Sequence, residues 1–297
     1  MPAFFNSEFM IYLIAVSLIW SFSFGLIKTN MSSLDPALVA FLRLLLSAAV
    51  FLPFLRVKGM RPKMSVQVFL IGALQFGLMY IAYIYSFQYL KAYQIAAMTI
   101  FTPLYVEIIS DFAERRFVLR PYLFVLMAVF ASALVTWDSL NVFEFQKGFF
   151  LVQLSNLCFA GGQVLYRKLL KPANVKDREI FAAAYCGAAA ITFIAVLIRG
   201  SLPQIAQISG NQWAALLYLG IIASGLCFFL WNKGVRIANI TNAAISNNLK
   251  MPLAVAVSLF VFGEYESQSP ETMIRLGLGI VLLAASLILN SRQKPAG

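Results

Sequence analysis

The chain has 297 residues, 61% hydrophobic and 12% charged, with a mean hydropathy of +0.81, values that exclude a soluble domain and mark an integral membrane protein. The net charge of +11 does not signal nucleic acid, because the basic residues fall in short loops between apolar runs, where they orient a membrane protein. Histidine is absent, which excludes imidazole metal ligands, a Ser/His/Asp triad and histidine proton relays, and the widely spaced Cys158, Cys186 and Cys227 read as packing residues rather than a disulfide framework or metal site.

A membrane span needs roughly 20 apolar residues. Ten segments qualify: 9–27, 36–55, 66–90, 94–112, 117–137, 148–166, 179–198, 212–232, 239–262 and 272–290. The first lacks a basic stretch before it and runs at full spanning length, so no cleavable signal peptide is expected. Ten spans leave both termini on one side, and the distribution of lysine and arginine decides which side that is. Arg56, Lys58, Arg61 and Lys63 follow span two; Arg115, Arg116 and Arg120 follow span four; Arg167, Lys168, Lys171, Lys176 and Arg178 follow span six. Lys233 and Arg236 follow span eight, and Arg292 and Lys294 lie in the tail, whereas the opposite loops hold only Lys28, Lys91, Lys147, Arg199 and Arg275. Both termini are therefore expected in the cytoplasm.

The halves 1–137 and 148–290 hold five spans each. An odd number forces a duplicated unit to insert upside down the second time, so two inverted five-helix repeats are expected. AAMTIFTP ending at Pro103 resembles AAISNNLKMP ending at Pro252, and Glu114 and Glu264 follow the two prolines at nearly equal distance. Inverted repeats are typical of secondary transporters, whose sites lie near the midplane and use interrupted helices. Spans four and nine are then walls of the site.

Taken along the chain, the first polar or amphipathic candidate is Trp20, deep in span one, with Ser17 and Ser23 near its face. With Gln75 and Tyr83 it is expected to form an amphipathic pocket, to which Tyr80, one turn from Tyr83, also belongs. Arg43, early in span two, cannot shed its proton and needs carbonyls or a carboxylate. A structural role, satisfying broken backbone of a neighbouring span, is expected ahead of substrate binding. In span four Glu107 lies one turn beyond Pro103, and Asp111 one turn beyond Glu107.

In span six Gln153, Asn156, Ala160, Gln163 and Arg167 share one helical face. Such a stripe lines either an aqueous cavity or an amide-bonded helix contact. Trp231, beside Asn232 at the end of span eight, is either an interfacial anchor or part of the pocket wall. Span nine carries Ala243, Asn247, Lys250, Ala254 and Ser258 on one face, with Lys250 near its centre. At about 1.5 Å per residue that lysine is too far from either end to snorkel. It must point inward, either to a structural salt bridge or to an anionic substrate group. Glu107 is expected to pair with Lys250 until a substrate carboxylate takes the lysine; a proton-carrying role in coupling is the alternative.

The ten spans, the early arginine of span two and the prolines of spans four and nine resemble the drug/metabolite transporter superfamily, with two EamA-type halves. The stretches FLPFLR (51–56), GALQFGLMY (72–80), FTPLY (101–105), FLVQLSN (150–156), ASGLCFFLWNKG (223–234) and NNLKMP (247–252) are similar to biotin-transporting members of its carboxylate/amino acid/amine transporter group. The resemblance implies an all-α bundle with a central cavity lined by spans one, three, four, six, eight and nine, alternating access, and uptake of biotin or a similar small carboxylate across a bacterial inner membrane. It implies no cofactor and no metal, and a monomer is expected. The amides of Gln153, Asn156 and Asn247 suit a ureido group, and Lys250 suits a carboxylate. The chain lacks a GxxxxGK[ST] phosphate loop. The competing readings are an exporter of amino acids, amines or drugs on the same fold, an intramembrane enzyme, left with only Glu107 and Asp111 as acids, and a channel.

Overall fold

A computed structural model describes residues 7–55, 62–115, 142–173, 175–237, 250 and 252–267, with 270, 271, 274, 277, 278 and 281. Every regular element among the described residues is helical. We number the helices α1 (Ser7–Asn30), α2 (Pro36–Phe54), α3 (Pro62–Ser86), α4 (Ala92–Glu114), α5 (Phe143–Leu170), α6 (Asp177–Arg199), α7 (Gly210–Arg236) and α8 (Pro252–Val261). Six of them, α2 to α7, are long and apolar enough to cross a membrane. They coincide with expected spans two, three, four, six, seven and eight; α1 carries span one and α8 the second half of span nine. Span five (117–137), residues 238–249 and most of span ten lie outside the described residues.

The helix ends follow from local chemistry. Asp35 caps α2, its Oδ1 accepting from Ala37 N at 3.0 Å, with Pro36 at the first helical position, where no N–H is needed. Ser209 and Gln212 form a capping box on α7. Gly200 closes α6 in the left-handed region at φ 63. Span three ends at Ser86 rather than at 90, because Phe87 to Leu90 turn back and Lys28 Nζ, from the end of α1, donates to the carbonyls of Phe87 (2.6 Å) and Leu90 (3.0 Å). Beside them the carboxylate of Glu264 accepts from the N–H groups of Ala92 and Tyr93 at 2.9 and 3.0 Å, so the end of α1, the start of α4 and the segment after α8 are tied together.

Three of the helices contain a π-helical segment. Residues Ala73–Leu78 of α3, Tyr218–Leu226 of α7 and Val257–Val261 of α8 are π-helical, a widened turn common at functional sites. In α7 it turns carbonyls toward neighbouring side chains. Ser47 Oγ donates to Gly220 O at 2.7 Å, Trp20 Nε1 to Ala223 O at 2.8 Å, and Tyr185 Oη to Ser224 O and Gly225 O. In α4 the interruption comes from Pro103. A 3₁₀ turn, Thr99–Phe101, precedes it, and the proline sits in the first turn of the helix that resumes at Thr102. Thr102 N bonds Thr99 O, the carbonyl that Pro103 has no N–H to reach, and the carbonyl of Met98 accepts from Asn156 Nδ2 at 3.0 Å.

Lipid tails are as apolar as leucine, so close packing of small residues must hold such helices together. α3 makes the most extensive contacts, with α6 and α5; α2 also packs on α6, and α7 on α1 and α2. Between α3 and α6 the contact is backbone on backbone: a Cβ on Gly72 would lie 1.9 Å from Ala184 O, and one on Gly187 would lie 2.0 Å from Phe69 O. The outer surface is apolar, as with Phe112, 87% exposed, and Phe150 and Ile198.

Candidate functional site

The cavity at the centre of the bundle is bounded by α1, α2, α3, α4, α5 and α7, with Lys250 just before α8. Its wall is Trp20, Ser23, Phe24, Arg43, Met79, Tyr80, Tyr83, Thr99, Thr102, Ser155, Asn156, Phe159, Phe228 and Lys250, around a volume of about 70 Å³. That is room for a few water molecules at roughly 15 Å³ each. Among the described residues, the wall contains two cationic side chains and no carboxylate.

Each polar wall residue is held by an identifiable feature. Trp20 is fixed by its bond to Ala223 O and by ring contacts with Phe228 and Trp231, centroids at 4.9 and 5.5 Å. Lys250 is 9% exposed; its Nζ lies 4.7 Å from the Trp20 ring centroid and 5.9 Å from that of Phe159, a cation against two aromatic faces. On the α4–α5 side, Asn156 accepts from Thr102 Oγ1 at 3.0 Å and donates to Met98 O and to Gln153 Oε1 (3.3 Å). On the α2–α3 side, Arg43 Nη2 donates to Tyr80 Oη at 2.9 Å and to Ser224 Oγ at 3.1 Å.

The expected site residues therefore divide. Trp20, Arg43, Tyr80, Tyr83, Asn156 and Lys250 meet in the cavity wall. Gln153 stands behind it, bonded to Asn156 and to Tyr105 Oη at 3.3 Å. Gln75 does not join Trp20 and Tyr83; it is fully buried in a reciprocal amide pair with Asn232, at 2.9 and 3.3 Å. Its place in the π segment, with Gly162 packed on its Cβ, aims the amide at α7 instead. Gln163 and Trp231 also lie one layer off the cavity, with Trp231 Nε1 donating to Gln163 Oε1 at 3.0 Å. Trp231, 1% exposed, is a buried bundle residue and not an interfacial anchor. Asn247 lies outside the described residues.

The expected Glu107–Lys250 pair is absent: no ion pair joins them, and Glu107 is half-buried on α4 near Asp111 and Glu114, away from the cavity wall. The reason is geometric. Pro103 and the 3₁₀ turn rotate α4 so that Thr99 and Thr102 face the cavity, and Glu107 and Asp111, further along, do not line it. Ser224, Thr102 and Phe159 join the site without belonging to any polar stripe of the sequence. The hydroxyls flanking Pro103, and a serine inside the glycine-containing apolar run ASGLC, were the available signals.

Beyond the Gln163–Trp231 and Gln75–Asn232 layer, a second cavity of about 510 Å³ is lined by Ser110, Glu114, Gln163, Arg167, Lys168, Lys171 and Val235, among others. The span-six stripe thus runs from the central cavity, through Gln163, to a basic vestibule. Asn232→Ala should leave the Gln75 amide buried without a partner and lower stability by about 1–2 kcal/mol. Thermal unfolding in detergent checks this, and Gln75→Leu combined with Asn232→Leu should recover part of the loss.

A model of the EamA-like transporter family matches residues 8–137 and 146–290. The chain is 34% identical over 284 residues to a protein of Pseudomonas aeruginosa named a probable biotin transporter, covering 95% of this chain and 97% of that one. It is 32% identical over 278 residues to the biotin transporter of Escherichia coli K12, covering 93% and 91%, and 32% identical over 255 residues to that of Salmonella typhimurium, covering 85% of each. A solved crystal structure superposes with a TM-score of 0.70 at 18% identity, over 97% of this chain and 100% of the other, a likeness of fold alone. Matched along nearly its whole length, the chain belongs to the EamA-like transporter family of the drug/metabolite transporter superfamily, as a multi-pass membrane transporter and not an enzyme.

Proposed function

We propose that this protein is a secondary importer of biotin or a similar small carboxylate, working by alternating access from the bacterial inner membrane. The observation that carries this reading is the sign of the cavity. Arg43 and Lys250 face one aromatic space with no carboxylate in its described wall, and a low-dielectric site strengthens their attraction for an anion. An amine exporter on the same fold would need the opposite sign. The amide and hydroxyls of Asn156, Thr102 and Ser155 provide donors and acceptors for a ureido group, and Trp20, Phe159 and Phe228 provide apolar walls. The relatives named biotin transporters supply the specific substrate.

Alternating access is supported by the two cavities. The central space of about 70 Å³ is well below the roughly 300 Å³ at which ligand pockets begin, while the vestibule is about 510 Å³. A bicyclic ligand enters only if helices part. The Lys28 and Glu264 contacts tie one end, and the Gln163–Trp231 layer shuts the other. We read the chain as ten spans in two inverted repeats, 1–137 and 148–290, working as a monomer with both termini and the vestibule in the cytoplasm. The lysine and arginine distribution supports that orientation. The π segments of α3 and α7, third spans of their halves, support the repeat, as does α3 packing on α5 and α6 while α7 packs on α1 and α2.

Radiolabelled biotin uptake in cells lacking their own uptake route tests the assignment. Saturable uptake, blocked by excess biotin, is expected. No uptake, with no binding by the purified protein, would end the biotin reading and move the search to other anions.

A further inference from the structure

We propose that Arg43 is the residue that receives the substrate's carboxylate, and so sets the preference for acids over their neutral isosteres; this rests on the carboxylate reading above. The guanidinium is 1% exposed, stays charged at any accessible pH, and has no carboxylate partner among the described residues. Its Nη2 donates to two neutral hydroxyls, Tyr80 Oη and Ser224 Oγ, and Nε and Nη1 have no acceptor among the described residues.

The hydroxyls cannot supply the missing charge. Ser224 Oγ gives its proton to Leu219 O at 2.7 Å, so in the 2.9 Å contact between Tyr80 and Ser224 the tyrosine donates. Both oxygens thus turn lone pairs toward Arg43, and their protons run away from it. This orders the group, which also lies over the Tyr80 ring at 4.4 Å, and leaves it without an anion among the described residues. A structural arginine of the same chain looks different: Arg236 Nη1 meets Asp177 Oδ2 at 3.0 Å and Val175 O at 2.8 Å, and Nη2 meets Ala173 O. Buried donors are nearly always satisfied in native proteins. Among the exceptions here, Arg43 is the cation in the wall of the central cavity.

Both cations rest on aromatic faces, Arg43 over Tyr80 at 4.4 Å and Lys250 against Trp20 and Phe159, but Lys250 contributes its positive charge without the planar fork that matches a carboxylate. Tyr185, from α6, is a positioning residue for Arg43: its bonds to the carbonyls of Ser224 and Gly225 hold the π segment that presents Ser224.

The experiment measures dissociation constants for biotin and for biotinamide, its neutral isostere, on purified protein, with a melting curve for each variant. Wild type should prefer biotin by roughly 100-fold or more, the charge-assisted bond to Arg43 and the nearby charge of Lys250 acting together. Arg43→Gln should cut that preference by roughly 10-fold or more, chiefly by weakening biotin, and leave only the share that Lys250 contributes. Arg43→Lys keeps the charge and should retain part of the preference, which covers the case in which the glutamine variant does not fold. A parallel loss of both ligands in the Arg43 variants, or a wild-type preference surviving Arg43→Gln while Lys250→Met abolishes it, would overturn the assignment. If wild type binds neither ligand, the carboxylate reading fails and this inference with it. Binding of biotin with an unchanged preference in Arg43→Gln overturns the inference alone.

Discussion

Lys250→Met is expected to make the protein more stable and a worse transporter. A lysine at the centre of a membrane helix costs about 2.5–3.5 kcal/mol. Here the faces of Trp20 and Phe159 return about 0.5–2 kcal/mol of that, and no carboxylate among the described residues returns the rest. Methionine fills the same channel with an unbranched apolar chain. The variant should therefore gain about 1–2 kcal/mol, a rise of a few degrees in melting temperature. Transport should move the other way. At an effective dielectric near 20, a charge about 8 Å from a bound carboxylate contributes about 2 kcal/mol, so biotin affinity should fall roughly 10- to 50-fold. The two signs together identify the role. A lysine serving as bundle glue would lose stability when replaced, and one with no part in binding would leave affinity unchanged.

The interior direction of Lys250 was legible because charge and depth are both sequence properties. At 9% exposure it does face the bundle, and Ala254 and Ser258 follow it inward. The α5 stripe was legible for the same reason: Asn156, Ala160 and Gln163 are buried while Leu154, Leu157 and Leu165 are exposed. What helical periodicity could not reveal was which neighbour each inward group meets. Gln75 lies in a π turn, where the 3.6-residue period fails and the amide swings to Asn232. Glu107 follows a proline and a 3₁₀ turn, which shift every face after them. Arg43 was expected to be structural because arginine usually finds carbonyls. Its unmet nitrogens become visible only once α2, α3 and α7 are assembled, since they come from three distant stretches of chain.

The contact that brings those stretches together should also be the least tolerant of added volume. Gly72→Val and Gly187→Leu each place a Cβ within about 2 Å of a carbonyl oxygen in the middle of a helix, Ala184 O for the first and Phe69 O for the second. A side chain can rotate away from such a clash, but a helical carbonyl cannot. Relief requires moving α3 and α6 apart along the interface where Gly77 also meets Ala188 and Ile191. Separation loses dispersion contacts that no hydrophobic effect replaces in lipid, and it pulls Tyr185 of α6 away from the carbonyls of Ser224 and Gly225. Each variant should lose about 3 kcal/mol or more, enough to lower membrane-inserted yield and abolish binding. Gly161→Ala is the matched control on α5. Its Cβ would find only side-chain atoms at 3.8 Å, an ordinary contact, and removing a helical glycine returns up to about 1 kcal/mol. Equal damage from Gly161→Ala would mean that glycine flexibility matters here, and not the close approach of α3 and α6. Wild-type melting behaviour in Gly72→Val would show that the two helices can part without consequence.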